Sequence, residues 1–341
     1  MELKFDLKAL NLKNKKRKLA AAIIGSTATG KTALSINAAK KLFALNNKRV
    51  EIISVDSRQI YRYMDIGTEK VSAEIRREIP HHLIDIADPD EYFSVSDFVD
   101  RAVNAAERIY KRGALPLFVG GTPYYYNALF NAAINKSLPH DPEVRKKYES
   151  YENLNELYAK LSEVDPVTAK RLHPNDIRRV SRALEIYELT GKAPSELYKH
   201  DDKLDFGFEV FYIGLRCDRS KLFSRIEKRL RVEFESGFIE EVAWLIEHGF
   251  DERFTPMQGL GYKELARYYR GEISLDEAFN EALKRTKAFC RRQETWFKNF
   301  TPAIWFDVDA YDSEQLAENA AKSALIHFEK SPEELMINVQ G

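Results

Sequence analysis

The chain has 341 residues, more than one compact core usually takes, so a main domain with a smaller appended or inserted unit is expected. Its 53 basic residues balance 53 acidic ones, so net charge offers no case for a polyanion partner and only local distribution could make one. The cysteines, Cys217 and Cys290, stand far apart in no metal-ligand spacing, which leaves no disulfide framework or zinc site; with no apolar run near the ~20 residues of a membrane span, a soluble, cytoplasmic protein without a membrane partner is expected.

Residues 1–18 carry the run Lys13, Lys15, Lys16, Arg17, Lys18 and read as a solvated basic tail. Residues 19–24 read as a buried strand, 25–30 as a glycine-bounded loop and 31–42 as a helix. Gly25-Ser26-Thr27-Ala28-Thr29-Gly30-Lys31-Thr32 matches GxxxxGK[ST] in this strand-loop-helix context. The glycines let backbone N–H groups turn inward around phosphate oxygens, Lys31 adds a point charge, and the Thr32 hydroxyl can reach Mg2+. A substrate with a di- or triphosphate follows.

A second strand, 51–55, ends in Asp56. A carboxylate there can cap a helix, join a metal sphere, or accept the proton of an incoming nucleophile as general base. Residues 96–112 read as a helix, and a third strand, 115–119, ends in Gly120, Gly121 and Thr122. A nucleotide-hydrolysing protein would normally place a second metal-binding acid there. Paired glycines instead suit a tight turn or a close approach of backbone to ligand, with Thr122 as an added donor. Strands alternating with helices predict a P-loop NTPase-like α/β core with a parallel sheet, and the three strand ends converge where such sheets bind ligands.

Residues 140–200 lose strand character and read as an inserted all-helical domain, between a core of 19–139 and its remainder at 201–330. Strands are predicted again at 210–215 and 304–308, with helices over 221–299 and a helix after 308, then a loose tail at 331–341. Basic residues form stripes on three helices: Arg178, Arg179 and Arg182; Lys221, Arg225, Lys228 and Arg229; and Lys284, Lys287, Arg291 and Lys298 with Arg285 and Arg292 beside them. Any one stripe reads equally as a solvated face; together they make a phosphate backbone a plausible partner.

Taken in order, the P-loop, Ile53-Ser54-Val55-Asp56-Ser57 with Gln59, Met64-Asp65-Ile66-Gly67-Thr68, His81-His82-Leu83-Ile84-Asp85, Val119-Gly120-Gly121-Thr122, His173-Pro174-Asn175-Asp176, Gly261-Tyr262-Lys263-Glu264 and Arg292-Gln293 with Trp296-Phe297 resemble bacterial tRNA dimethylallyltransferases, over nearly all of residues 20–309. The resemblance implies transfer of a dimethylallyl group from its diphosphate to N6 of the adenosine 3′ of the anticodon, assisted by Mg2+; a monomer is expected. It implies Asp56 as base, Arg225 as donor-binding arginine, and tRNA contacts at Asp56, Ser57, Arg58, Gln59, Thr122, Arg178, Arg179, Val180, Ser181, Arg182, Gln258, Gly259, Leu260, Gly261, Tyr262 and Lys263. Ser26 replaces the family's usual proline, Thr29 its serine, and Tyr63 a small residue. Alternatives are a P-loop kinase or ATPase on a small metabolite, a prenyltransferase of free adenine nucleotides, and a non-catalytic RNA-binding protein.

Overall fold

The computed structural model describes residues 17–131, 138–198 and 205–329; most of the basic tail and the tail at 331–341 lie outside them. Lys18, the last residue of the basic run, opens the first strand and pairs with Glu107 at 2.9 Å. The chain forms two compact units, one of Met1–Phe130 with Phe206–Gly341 and one of Asn131–Asp205. These bounds lie outside the 140–200 read from composition, which responds to helical sequence and not to the connecting residues around it.

In the larger unit, β1 (Lys18–Gly25), β2 (Val50–Ser54), β3 (His81–His82), β4 (Leu115–Val119), β5 (Phe208–Arg216) and β6 (Ala303–Asp307) form a parallel sheet in the order β3-β2-β4-β1-β5-β6. Nearly every residue of β1, β2 and β4 is buried, as expected of strands covered on both faces. β3 is only two residues long and too short for any periodicity to reveal it.

Helices α1 (Lys31–Asn46), α2 (Ala73–Glu78), α3 (Val95–Lys111) and α4 (Pro123–Phe130) lie in the first half of this unit. α3 is started by a reciprocal capping box between Ser94 and Asp97 and buries Phe98, Val99, Ala102, Ala105, Ala106 and Ile109 at helical spacing. The smaller unit holds α5 (Pro142–Glu149), α6 (Leu154–Val164), α7 (Pro166–Ala169), α8 (Ile177–Thr190) and α9 (Pro194–Leu197), with a core around Leu157, Leu161, Val180 and Leu184. The chain then returns to the larger unit with α10 (Arg219–Glu235), α11 (Phe238–Glu247), α12 (Tyr262–Tyr269), α13 (Leu275–Phe297) and α14 (Ser313–Glu329). One core packs α1 and α14 on the sheet; a second joins Ile60, Tyr61 and Met64 to Phe238, Leu245 and Tyr262.

β1 has β4 on one side and β5 on the other, so the carboxyl end of β1 is the point where strand order reverses. The strands stay joined past their ends: Val55 N–H donates to Val119 O at 2.8 Å and Gly120 N–H to Ile23 O at 3.4 Å. A Cβ on Gly120 would sit 2.1 Å from Val55 O, so this glycine serves backbone against backbone. Gly120→Ala should cost on the order of 1–3 kcal/mol and lower the melting temperature by several degrees; an unchanged melting curve would show that the β2 and β4 ends are not locked together.

Candidate active site

The phosphate loop leaves β1 through backbone that side chains rarely adopt. Gly25 has φ +154° and Gly30 φ +87°, and a Cβ at Gly25 would meet Leu215 O at 2.8 Å. Ala28 takes a left-handed φ of 62° without being glycine. Gly30 is the N-cap of α1 and supplies no side-chain cap, so the first amides of the helix remain available to an anion. Lys31 Nζ donates to Ser26 O at 2.7 Å, and Thr29 Oγ1 to the same carbonyl at 2.8 Å. Burial pushes the Lys31 ammonium down to about 8; Asp56 and Glu69 oppose the shift and Arg229 adds to it. Thr32 is exposed at the start of α1.

Gln293 of α13, 3% exposed, ties the loop to the end of β4. Its Oε1 accepts Thr27 N–H at 2.9 Å and its Nε2 donates to Gly121 O at 2.5 Å. A Cβ on Gly121 would come 2.7 Å from that Nε2, so the second glycine makes room for glutamine. Sequence reading met Gln293 only within the Arg292-Gln293 motif and gave it no role, because a lone glutamine among arginines carries no chemistry of its own.

Asp56 follows β2, and its Oδ1 accepts the amides of Arg58 at 2.8 Å and Gln59 at 3.3 Å. One oxygen therefore closes a turn at 57–60, where no helix follows for it to cap. Burial disfavours the charges of Lys31 and Arg58, and the Asp56 carboxylate opposes that in both. Thr122 Oγ1 accepts Ser57 N–H at 3.1 Å and binds the third strand end to this turn. Arg58, its charge disfavoured by burial, donates to Thr255 O at 2.7 Å. Gln59 accepts from Ser54 Oγ at 2.8 Å and donates to Thr68 O at 2.9 Å. Both side chains brace the segment as much as they line it.

The arginine that meets the loop is Arg229, one helical turn beyond Arg225 on α10. Arg225 instead pairs with Asp309 at 2.7 Å, which draws its guanidinium toward the end of β6. Arg229 donates to Thr27 Oγ1 at 2.8 Å and to Glu69 at 2.7 Å, while its Nε lies 3.0 Å from Glu233. Sequence spacing puts both arginines on one stripe, and only packing separates them.

Residues 258–263 are largely framework. Gly261 has φ +82° and its Cβ would meet Phe238 at 2.5 Å; Tyr262 is buried and donates to Glu241 at 2.6 Å; Gln258 donates to Glu252 O at 3.1 Å. Gly259 is buried as well, Leu260 half-buried, and Lys263 exposed. In the smaller unit, Val180 and Ser181, expected among the tRNA contacts, are fully buried residues of α8. Arg182 holds the carbonyls of Pro139 and Leu138 and pairs with Glu185, whereas Arg178 and Arg179 are exposed.

Other stripe residues are partly neutralised by neighbours: Lys221 with Asp309, Lys287 with Glu227, Arg285 with Glu264. No helix among the described residues is long and apolar enough to cross a membrane.

Comparison with known proteins fits this geometry. A family model described as IPP transferase matches residues 59–300. The tRNA dimethylallyltransferase of Dictyoglomus turgidum is 46% identical over 301 residues, covering 87% of this chain and 90% of that protein. That of Thermoanaerobacter sp. strain X514 is 42% identical over 306 residues, covering 88% and 95%. The full-length tRNA isopentenylpyrophosphate transferase of Bacillus halodurans superposes with a TM-score of 0.67 at 38% identity, covering 96% of this chain and 100% of that one. A eukaryotic dimethylallyltransferase acting on tRNA superposes at 0.72 with 31% identity, covering 90% and 78%. With the model matching well over half of its length and relatives this close across nearly all of it, the chain belongs to the IPP transferase family, the tRNA dimethylallyltransferases.

Proposed function

We propose that this chain transfers the dimethylallyl group of dimethylallyl diphosphate to N6 of the adenosine 3′ of the anticodon in tRNA and releases pyrophosphate. The observation that carries the reading is the meeting of an anion-ready loop, Lys31, Arg229 and the Asp56 carboxylate at three strand ends. An adenine amino group is a weak nucleophile because its lone pair is delocalised into the ring. Asp56, one oxygen held by the turn, can accept the N6 proton with the other as the C–N bond forms. The allylic C–O bond breaks at the same carbon, and the electron pair leaves with the diphosphate.

Negative charge then builds on the phosphate oxygens, where the loop amides, Lys31 and Arg229 interact most strongly in the transition state. That arrangement needs a phosphate loop and no hydrolysis. The target base must leave its stack to reach the site, at about a few kcal/mol. Arg178, Arg179 and Lys263 are exposed cations suited to the RNA backbone.

The site also suits Mg2+. Among the described residues no group of three or more acids, histidines or cysteines forms a metal cage. Mg2+ in phosphoryl sites needs none, since phosphate oxygens and water fill most of its sphere. The Thr32 hydroxyl is the protein ligand the loop offers, and the ion would neutralise the leaving diphosphate.

Incubation with dimethylallyl diphosphate, Mg2+ and unmodified tRNA, followed by nucleoside mass analysis, should show N6-dimethylallyladenosine; unmodified nucleosides alone would refute the reading. Asp56→Asn keeps an oxygen for the turn and loses the base, so turnover should fall about 10²–10⁴-fold with tRNA binding and folding retained. Near-normal turnover would remove Asp56 from the proton transfer. Arg229→Ala should lower kcat/KM for the prenyl donor by roughly 10²-fold or more, and Arg225→Ala by only a few-fold; the reverse order would restore Arg225 to the site.

The depressed Lys31 is charged below about pH 8 and neutral above it. Pyrophosphate affinity should therefore fall, relative to a Lys31→Arg variant, by up to roughly tenfold between about pH 7 and pH 9. A ratio independent of pH would show that Lys31 keeps its proton throughout.

A further inference from the structure

An acid stands among the cations of the phosphate site. Glu69 follows the turn of Met64 to Thr68, with left-handed backbone at φ 50°. The turn is held on every side. Glu241 of α11 accepts the amides of Asp65 at 2.8 Å, Ile66 at 2.7 Å and Gly67 at 3.3 Å. Gln59 binds Thr68 O, and the buried Lys70 ammonium reaches Tyr61 O at 2.6 Å and Asp85 at 2.6 Å. This mounting brings Glu69 within reach of Arg229, and its carboxylate lies 2.7 Å from Nη1.

Arg229 uses one nitrogen, Nη1, for both Glu69 and Thr27 Oγ1 of the loop. Its other end rests on Glu233, 7% exposed, whose Oε1 lies 3.0 Å from Nε without the alignment of a hydrogen bond. Burial pushes Glu233 up to about 7, so this second contact is weakly held. Glu69 has a side chain 48% exposed and can turn to water without leaving a buried charge.

We infer that Glu69 is a positioning residue that latches Arg229 at the mouth of the phosphate loop and must release it to the diphosphate. The inference rests on the diphosphate reading of the loop. Its consequence is for how binding energy is used. While Glu69 holds Nη1, Arg229 contributes little to ground-state binding. As the C–O bond breaks and charge accumulates on the leaving oxygens, the guanidinium transfers from carboxylate to phosphate. An interaction gained mainly in the transition state raises kcat, whereas equal binding of substrate and transition state would not. The latch also weakens the hold on product pyrophosphate.

The test is a double-mutant cycle read by calorimetry with inorganic pyrophosphate and Mg2+ on the full chain, alongside steady-state kinetics. Glu69→Gln should tighten pyrophosphate binding at least threefold and lower KM for the prenyl donor without raising kcat. In an Arg229→Gln background the same change should leave affinity unaltered, because nothing remains to be released. Unchanged or weaker binding in Glu69→Gln would overturn the latch. So would an equal gain in both backgrounds, which would reduce Glu69 to a general repulsive charge. Pyrophosphate binding by the wild type that Lys31→Ala abolishes supports the loop reading independently; no binding by the wild type would sink that reading and the latch with it. Melting curves confirm that each variant folds.

Discussion

The side chain of Gln293 joins the parts on which the site depends. It accepts the Thr27 amide with one atom and donates to Gly121 O with the other, so a helix far along the chain registers the phosphate loop against the end of β4. A buried amide of this kind is costly if either bond is lost, since the orphaned group keeps its desolvation penalty of about 1–3 kcal/mol. The constraint explains the paired glycines: Gly120 lies flat on Val55, and Gly121 leaves space for the glutamine. Neither glycine has to touch a ligand for the pair to be required.

Around that bridge, acids act as scaffolding as often as chemistry. Asp56 closes the turn that follows β2 with the oxygen nearest Arg58 and Gln59, which aims its carboxylate before any substrate arrives. Glu241 gathers the amides of Asp65 to Gly67 into a nest filled by the protein's own charge and accepts Tyr262 as well. Glu51 is the counterpart in β2. Burial resists its ionisation, but hydrogen bonds from Arg112 and His82 outweigh that and hold it below the usual glutamate range. Stability from Glu51 is thus present at neutral pH and lost as pH falls through its lowered value.

The neutral net charge conceals an uneven division of labour. Cations on α10 that look equivalent in sequence are committed differently: Lys221 and Arg225 to Asp309, Arg229 to the loop. An ion pair at an exposed site is worth little, and RNA phosphates can compete for such a lysine or arginine. Arg229 is largely buried, hydrogen-bonded to Thr27 and Glu69 with Glu233 beside it, so only a ligand inside the site can claim it.

What the sequence by itself determined is the local chemistry. The glycines and lysine between residues 25 and 32 specify an anion loop because their backbone freedom and charge are properties of a few adjacent residues. The alternation of buried strands with amphipathic helices specifies a parallel sheet, and its strand ends specify where Asp56 and Thr122 lie. The tertiary structure alone decided which remote residues complete the site. Gln293, Glu69 and Arg229 come from elements whose sequence pattern reports only helix face or turn, and their roles arise from distances across the fold. The same packing placed Val180 and Ser181 in a core, because periodicity identifies a face of a helix but not what that face meets. Side chains acquire such roles through neighbours hundreds of residues away, as Gln293 does with the Thr27 amide at a separation of 266.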